Sequence, residues 1–185
     1  MGPGPVTERE EPRVADFVLR QATAADAEAL HALISAHQRE GHLLPRALEE
    51  LRKHADRFVV CDVDGAITAS AELAPLSPRV AEVRSLVVSR EFRSVGLAGK
   101  LVSHLRDRAR TMGFETLCAF THDARFFVRQ NFSIVPHLWL PEKVATDCVS
   151  CPLFRKCGQF AMILPLRAVA KYRVPAAAAR KAAVA

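Results

Sequence analysis

Long apolar runs are missing from this sequence. No stretch approaches the roughly 18 to 20 apolar residues that a membrane-spanning helix requires. The first residues, Met1 to Arg13, are rich in proline and charge and contain no apolar segment typical of a secretory signal. We therefore expect a cytoplasmic protein with no membrane partner.

Internal repeats are also absent, and 185 residues suit one globular domain better than two. Hydrophobic residues make up 50% of the chain, which is enough for a core of its own. We predict a disordered head at residues 1–13, one domain at residues 14–166 and a basic, alanine-rich tail at residues 167–185. One functional site is expected.

Acidic residues are missing from the end of the chain. The basic residues there are Arg167, Lys171, Arg173, Arg180 and Lys181. Such a stretch can bind nucleic acid, but apart from Tyr172 it lacks aromatic residues interleaved with the charges. We interpret it as a tail and expect no nucleic-acid partner. The remaining part of the +6 net charge can serve an anionic ligand.

Hydrophobic periodicity and turn residues predict an α/β domain around one mixed central sheet. Strands are predicted at residues 14–20, 58–63, 66–73, 80–88, 116–121, 132–135 and 160–166, with a hairpin turn at Asp64-Gly65. Four helices are predicted. The first runs from Thr23, which can form a capping box with Asp26, to Gly41. The others lie at residues 45–54 with Pro45 first, from Ser94 to Gly113, and at residues 123–130.

The strongest motif lies between a valine-rich strand and the long third helix. It reads Arg93-Ser94-Val95-Gly96-Leu97-Ala98 and is followed by Gly99 and Lys100. A loop that turns into a helix N-terminus directs several backbone N–H groups at one point, where the helix dipole favours an anion. The small residues allow a phosphate to approach the main chain, and the basic residues can add charge. The motif therefore predicts a phosphate site, although a helix start with two glycines is the plainer alternative.

This Arg-x-x-Gly-x-Ala motif, together with the order of the elements, resembles the GCN5-related N-acetyltransferase superfamily. The resemblance covers residues 14–166 and implies that fold, with acetyl-CoA as co-substrate and its pyrophosphate on the loop from Arg93 to Lys100. It also implies that the strand before the loop parts from the next strand and that pantetheine lies in the gap. Leu86, Val87 and Val88 would contact the pantetheine, and Thr121 to Phe127 would form the far wall, with Thr121 near the substrate.

A closer resemblance concerns the substrate. Three segments, residues 41–46, 81–88 and 126–132, are similar to the short bacterial N-acetylglutamate synthases and related amino-acid acetyltransferases. This similarity implies acetylation of an α-amine, with glutamate favoured and a role in arginine biosynthesis. Other small amines or a protein lysine stay open as acceptors.

The chemistry needs a base, because an ammonium ion cannot attack a thioester. Glu82, on the strand before the loop, matches the glutamate that the family carries there, and we predict that it takes the proton directly or through a water. The plainer alternative is a solvent-facing strand glutamate. A backbone N–H at Val87 or Val88 is predicted to stabilise the oxyanion.

A tyrosine acid is missing. In this superfamily a tyrosine often protonates the leaving thiolate, but Phe126 and Phe127 occupy that place and Tyr172 is the only tyrosine. Cys118 and His122 are candidate substitutes, although a cysteine in an apolar strand is more often a core residue. The thiolate is otherwise expected to leave unprotonated or to be protonated by water.

Arginine is the natural partner for a substrate carboxylate, since its planar fork engages both oxygens. Arg46 and Arg84 are the candidates, and a solvated surface role is the alternative for each. His37 and His42 flank the same segment as Arg46 and could line the acceptor pocket, or lie on a helix surface.

Three of the five cysteines, Cys148, Cys151 and Cys157, lie within ten residues. The Cys-x2-Cys spacing suits a tetrahedral metal with His137 as a fourth ligand, but the second pair of a zinc site is lacking. Reduced thiols or a redox-sensitive loop are the favoured interpretation, and we assign no metal.

Two function classes follow. The first is an amino-acid N-acetyltransferase, for which a homodimer is an open expectation. The second is a module that binds coenzyme A without catalysis and uses the cysteine loop as a metal or redox input. Glu82 discriminates between them: a carboxylate facing the cleft favours the enzyme, and one fixed in an ion pair favours the binding module.

Overall fold

The computed structural model describes residues 17–38, 43 and 45–167. The predicted head, the predicted tail beyond Arg167, His42 and the helix stop at Gly41 lie outside the described residues. None of the helices within the described ranges is long and apolar enough to cross a membrane.

One mixed sheet organises the described residues. The strands are β1 (Phe17–Gln21), β2 (Phe58–Val63), β3 (Ala66–Pro75), β4 (Val80–Val88), β5 (Thr116–Thr121), β6 (Ser133–Val135) and β7 (Phe160–Pro165). Their order across the sheet is β1-β2-β3-β4-β5-β7-β6. The β4–β5 pair is parallel, and the other described pairs are antiparallel. The α/β fold class with a mixed sheet is confirmed.

Helices cover both faces of the sheet. They are α1 (Ala27–Gln38), α2 (Leu48–Lys53), α3 (Leu97–Thr111), α4 (Ala124–Arg129) and α5 (Pro141–Lys143), which continues into a π-helical turn (Val144–Cys148). Short 3-10 turns occur at Ala24–Asp26, Ala55–Arg57, Arg90–Phe92, His137–Trp139 and Phe154–Lys156. The β2–β3 hairpin turns at Asp64 and Gly65, both with positive φ, as the Asp-Gly pair predicts.

The apolar stripe of α3 forms the larger core. Leu97, Leu101, Leu105 and Ala109 are buried at the predicted spacing of four and pack on one face of the sheet. A second cluster lies on the opposite face, where Leu30 and Ile34 of α1 and Leu51 of α2 pack on β2 and β4. Helices thus pack on both apolar faces of the sheet and hold β4 between them.

Two predicted helix starts were wrong. The second helix begins at Leu48 and not at Pro45, because the Ala47 backbone is extended with ψ 139° and the Arg46 side chain turns toward the sheet. The third helix begins at Leu97 and not at Ser94, because φ is +70° at Ser94 and +84° at Gly96, values that a right-handed helix excludes. Both corrections concern segments that carry predicted site residues.

Candidate active site

The predicted phosphate loop forms the sharp entry into α3. Gly96 has a φ of +84°, and a Cβ built on it would meet no atom within 4 Å, so the space beside its main chain is open. The helical ladder opens with the hydrogen bond from the Lys100 N–H to the Gly96 carbonyl at 3.2 Å. The earlier N–H groups of a helix have no intrahelical acceptor, and these can serve a phosphate.

The side chains of the loop have different surroundings. Leu97 is buried in the core, so only its main chain can face a ligand. The Arg93 Nε donates to the Val88 carbonyl at 3.3 Å and joins the loop to the end of β4. Lys100 was predicted to add charge, and its ammonium lies 4.5 Å from the ring centroid of Phe17 on β1. The positive charge of Lys100 is thus held beside β1.

The far side of the loop touches the segment after α4. A Cβ on Gly99 would lie 3.2 Å from the Gln130 Nε2, a contact tighter than most side chains make. Thr121, at the end of β5, accepts a hydrogen bond from the Asp123 N–H at 3.0 Å. Asp123 in turn caps α4 by accepting from the Phe126 N–H. Thr121 therefore shapes the turn into α4, which packs near the loop.

β4 and β5 pair over only part of their length. The parallel register joins Val80–Val83 to Thr116–Ala119, and β4 continues to Val88 without β5 beside it. Toward β3 the ladder continues, because the Ser89 N–H donates to the Thr68 carbonyl at 2.8 Å. The pairing with β5 thus ends at Val83, and the resemblance implies that the two strands part beyond this point to form a gap.

The register of β3 and β4 decides between the two candidate oxyanion donors. Since Ser89 pairs with Thr68 by hydrogen bonding, Val87 is the next residue whose main chain faces β3, opposite Ser70. Val88 alternates with them and directs its N–H away from β3, toward the gap. Val87 also buries its side chain against α1, whereas Leu86 and Val88 pack on the α3 side. Val88 fits the donor role, and Val87 does not.

A β-bulge in β4 changes which side chains share a face. Between the pairs Glu72–Arg84 and Ser70–Val87, β3 advances by two residues and β4 by three. Ser85 takes up the extra residue with a φ of +47°. Before the bulge, Glu82 and Arg84 alternate with Ala81 and Val83, which belong to the core beside α3, so they point to the opposite face of the sheet.

Glu82 is 2% exposed and lies in a network of ion pairs. The Lys143 Nζ lies 2.8 Å from one of its oxygens and 2.9 Å from the other, and Arg84 donates to it through Nε. Asp147 closes the network by accepting from Lys143 at 2.8 Å and from the Arg84 Nη2. We call Glu82, Arg84, Lys143 and Asp147 the charge ring. The alternative of a solvent-facing Glu82 is thereby excluded.

Arg84 is fixed by this ring. Burial by itself lowers the pKa of Arg84, but the neighbouring carboxylates of Glu82 and Asp147 outweigh it and raise the pKa above its ordinary value. The guanidinium stays charged and can hold a carboxylate. Its Nε and Nη2 already have partners, so an acceptor carboxylate that engages the guanidinium with both oxygens has to share or replace one of them.

Arg46 lies in a second buried pair on the same face. Its Nη1 donates to Glu72 at 2.8 Å and to the Ser85 hydroxyl at 3.2 Å, and its Nη2 donates to Glu50 at 2.9 Å. Glu72 is 1% exposed and is the register partner of Arg84 across β3 and β4. The structure therefore brings the two predicted arginines to adjacent positions around the bulge.

The remaining candidates, His37, Cys118 and His122, contact other parts of the fold. Both ring nitrogens of His37 contact carbonyl oxygens, at 2.8 Å from Leu33 and 3.0 Å from Val88, so it joins α1 to the end of β4. Cys118 lies at the register position opposite Glu82 and is fully buried, and burial raises the pKa of its thiol. A thiol without access to a ligand does not fit an acid role. His122 lies near Gly158, on the segment before β7.

The cysteine segment carries free thiols. Cys148 and Cys151 are partly buried and Cys157 is exposed, and burial raises the pKa of Cys148. Within the described residues no three histidine, cysteine or acidic side chains are arranged to hold a metal ion. His137, considered as a fourth ligand, lies edge-on to Phe120 with 5.3 Å between ring centroids.

Sequence reasoning missed Lys143, Asp147 and Glu72. Lys143 and Asp147 have the i, i+4 spacing of a helical ion pair, and Glu72 interrupts an otherwise apolar strand, so a signal for each was present. What could not be predicted was that α5 and the π-helical turn pack across β4.

Comparisons with known proteins identify relatives of this chain. Residues 22–132 match the acetyltransferase (GNAT) family. An uncharacterized N-acetyltransferase of Chlorobaculum tepidum is 30% identical over 82% of this chain and 98% of its own length. An amino-acid acetyltransferase of Pseudomonas putida is 35% identical over 63% of this chain, which spans only 27% of that longer protein.

A solved structure shows the same fold. The N-acetylglutamate synthase of Neisseria gonorrhoeae, complexed with coenzyme A and N-acetyl-glutamate, superposes with a TM-score of 0.74 at 26% identity. The match covers 84% of this chain and 36% of that one. Because sequence and fold agree over most of the domain, we conclude that the chain belongs to the acetyltransferase (GNAT) family.

Proposed function

We propose that this chain transfers the acetyl group of acetyl-CoA to the α-amine of an amino acid, with L-glutamate as the favoured acceptor. The observation that carries the proposal is the open loop at Gly96 beside the gap between β4 and β5. The family match and the names of the relatives support the reaction class. Synthesis of N-acetylglutamate for arginine biosynthesis is the finer form of the proposal.

The residues present fit acetyl-CoA. The loop and the first turn of α3 offer main-chain N–H groups for the pyrophosphate, and Gly96 leaves the space that a phosphate needs. The gap beside Val88 offers a polar main-chain edge for the pantetheine arm. The acetyl group would then lie near Val88, above the face that carries Glu82 and Arg84.

The chemistry can be assigned to residues on that face. The acceptor amine loses a proton and attacks the thioester carbon, and the Val88 N–H donates to the oxyanion that forms. Collapse of the intermediate breaks the carbon–sulfur bond and releases the CoA thiolate. Phe127 is buried where a tyrosine acid is expected from the family, so we assign protonation of the thiolate to water.

Glu82 is the proposed acceptor of the ammonium proton. Its carboxylate is in contact with two cations, but a carboxylate has about four lone-pair sites and the ion pairs leave some of them for a water. Because the side chain is buried, a relay through one water is a better fit than direct contact. Arg84 and Arg46 are the proposed partners of the acceptor carboxylates.

A second candidate function is a module that binds coenzyme A without turnover. The specific observation in its favour is that Glu82 is held in ion pairs with Arg84 and Lys143. In that case the charge ring would be a structural device, and the loop would bind the cofactor alone.

One assay separates the two candidates. Release of CoA thiol from acetyl-CoA is measured with glutamate and with a panel of other amino acids and amines, for the native protein and for Glu82→Gln. We expect turnover with glutamate and a loss of about 100-fold or more in kcat for the variant, the range typical of general-base catalysis. Glu142→Gln, which removes a carboxylate outside the charge ring, is the matched control and is expected to retain activity.

The other results are equally informative. Turnover with a different amino acid would keep the reaction and replace glutamate. Saturable binding of coenzyme A without turnover on any acceptor would reject the enzyme and leave the binding module. Turnover that is unchanged in Glu82→Gln would remove Glu82 from the mechanism.

A further inference from the structure

The charge ring extends from the core of the domain to its surface. The exposed fraction of the side chain rises from 3% at Glu82 through 13% at Lys143 and 24% at Arg84 to 33% at Asp147. The inner members are fixed by burial, and the outermost is the carboxylate of Asp147. If one carboxylate is displaced from Arg84, displacement of Asp147, the more exposed of the two, costs the least.

The two paired nitrogens of Arg84 follow the same order from the core to the surface. Its Nε donates to the buried Glu82 and its Nη2 to the more exposed Asp147, whereas its Nη1 has no hydrogen-bond partner among the described residues. A carboxylate from solvent that binds the end of the fork with both oxygens must use the Nη2 position as well as Nη1. That position is already filled by a carboxylate from the chain itself.

The local backbone explains how Asp147 reaches this position. Residues Val144–Cys148 form a π-helical turn, with the Val149 N–H donating to the Val144 carbonyl at 3.1 Å. The wider turn follows α5, whose Lys143 pairs with Asp147 at i, i+4 and with Glu82. Such turns are rare and frequently occur at functional sites.

We infer that Asp147 is an internal stand-in for the carboxylate of the acceptor and sets acceptor affinity by competing with it for Arg84. The inference rests on the proposed function, in which Arg84 holds an acceptor carboxylate. In this exchange the incoming carboxylate replaces that of Asp147 on the Arg84 Nη2, and Asp147 keeps its ion pair with Lys143. Asp147 is therefore a specificity-determining residue and takes no part in bond making.

The competition has a directional consequence. If Asp147 is made neutral, Arg84 loses a competitor for the acceptor but keeps Glu82. We therefore expect an amino acid whose carboxylate contacts Arg84 to bind more tightly. An acceptor in which that carboxylate is replaced by a neutral amide has little to gain. A residue that only stabilised the fold would weaken both acceptors when it is replaced.

The experiment compares three acceptors in the full-length protein: L-glutamate, its α-amide, and glutamine. For Asp147→Asn we expect the KM of glutamate to fall about fivefold at similar kcat, the upper range for a partly exposed ion pair. One of the two amides, the α-amide or glutamine, lacks the carboxylate that contacts Arg84. For that amide, the KM of Asp147→Asn is expected to stay within about twofold of the native value. Glu142→Gln, a neighbouring charge removal outside the ring, is expected to leave all three values unchanged.

A direct binding measurement accompanies the kinetics. Glutamate is titrated calorimetrically into protein saturated with coenzyme A, for native protein, Asp147→Asn and Asp147→Ser, after thermal melting has shown which variants fold. Tighter binding in a folded variant supports the inference. An unchanged or raised Kd and KM for glutamate would overturn it, and so would an equal gain for all three acceptors. Failure of the proposed function is separate, since the native protein would then turn over none of the acceptors.

Discussion

The Nη1 of Arg46 donates to Glu72 at 2.8 Å and links the segment before α2 to the middle of β3. Both side chains are largely buried, at 12% and 1% exposure. Burial by itself lowers the pKa of Arg46, but Glu72 and Glu50 more than offset this effect and raise the pKa above its ordinary value. Removal of either partner would leave a buried charge with less compensation.

Glu72→Gln is expected to lower the free energy of unfolding by about 3 kcal/mol, the lower end of the range for breaking a buried ion pair, because Glu50 still contacts Arg46. Urea unfolding measures the change. Glu49→Gln, which removes an exposed carboxylate of α2, is the control and is expected to stay within about 0.5 kcal/mol of the native protein. A change of that small size in Glu72→Gln would show that the pair contributes nothing.

Gly96→Ala tests the phosphate loop. A side chain at a φ of +84° strains the backbone by about 1 kcal/mol, and the new methyl group occupies the open space beside the loop. We expect a small loss of stability and a loss of tenfold or more in affinity for coenzyme A, an effect of about 1.4 kcal/mol or more. Calorimetric titration of coenzyme A measures the second effect.

The hairpin offers a matched control for that variant. Gly65 has nearly the same φ, +82°, and also has open space at its Cβ, but it lies in the β2–β3 turn. Gly65→Ala should show the same loss of stability with unchanged affinity for coenzyme A. Equal losses of affinity in both variants would mean that the effect comes from strain and not from the loop.

Asp26→Asn tests the ion pair between Asp26 and Arg20. The Arg20 guanidinium donates to both oxygens of Asp26, and this contact holds the pKa of the carboxyl well below its usual range. We expect the variant to lose about 2 kcal/mol of stability at neutral pH, by analogy with other salt-bridged aspartates. Denaturant unfolding at several pH values measures the loss.

The pH dependence of that loss follows from the sign of the shift. A carboxyl with a lowered pKa in the folded state stabilises the protein above its unfolded pKa of about 3.9 and loses this effect as the pH falls. The difference between native protein and variant should therefore be constant at neutral pH and shrink below about pH 4. A difference independent of pH would show that the carboxylate charge is not its source.

Thiol labelling tests the placement of the cysteines. Cys157 is exposed, whereas Cys61 and Cys118 are buried, and burial raises the pKa of both buried thiols. We expect an alkylating reagent at neutral pH to modify Cys157 first, and Cys61 and Cys118 only after unfolding in urea. Mass spectrometry of the peptides gives the order. Rapid labelling of Cys118 in the native state would contradict the position of β5 in the sheet.

Local patterns predicted most of the secondary structure. The Asp-Gly hairpin, the stripe of α3 and the strand Val80–Val88 depend on neighbours in the chain, and the structure confirms them. The two helix starts were wrong because Ser94 has a positive φ and because Arg46 turns inward to Glu72, which lies 26 residues later in the chain. Helical propensity reflects only the local sequence and therefore does not predict these features.

The site was predictable only in part for the same reason. Glu82 was found because the family carries a glutamate there, and Arg84 because it lies near that base and an arginine fork suits a carboxylate. Lys143 and Asp147 come from a segment about 60 residues later, and their contact with β4 depends on how α5 and the π-helical turn pack on the sheet. The bulge at Ser85, which decides that Val88 and not Val87 faces the gap, also depends on the register with β3.

The parallel pairing of β4 with β5 divides the described sheet into two groups of antiparallel strands. Strands β1 to β4 form an antiparallel meander of sequence neighbours, and β5, β7 and β6 form a second antiparallel group. The two groups meet along a seam in which four residues of each strand are paired. A ligand bound beside this seam, as proposed, would touch both groups, and its binding free energy would then stabilise the two halves of the domain against separation.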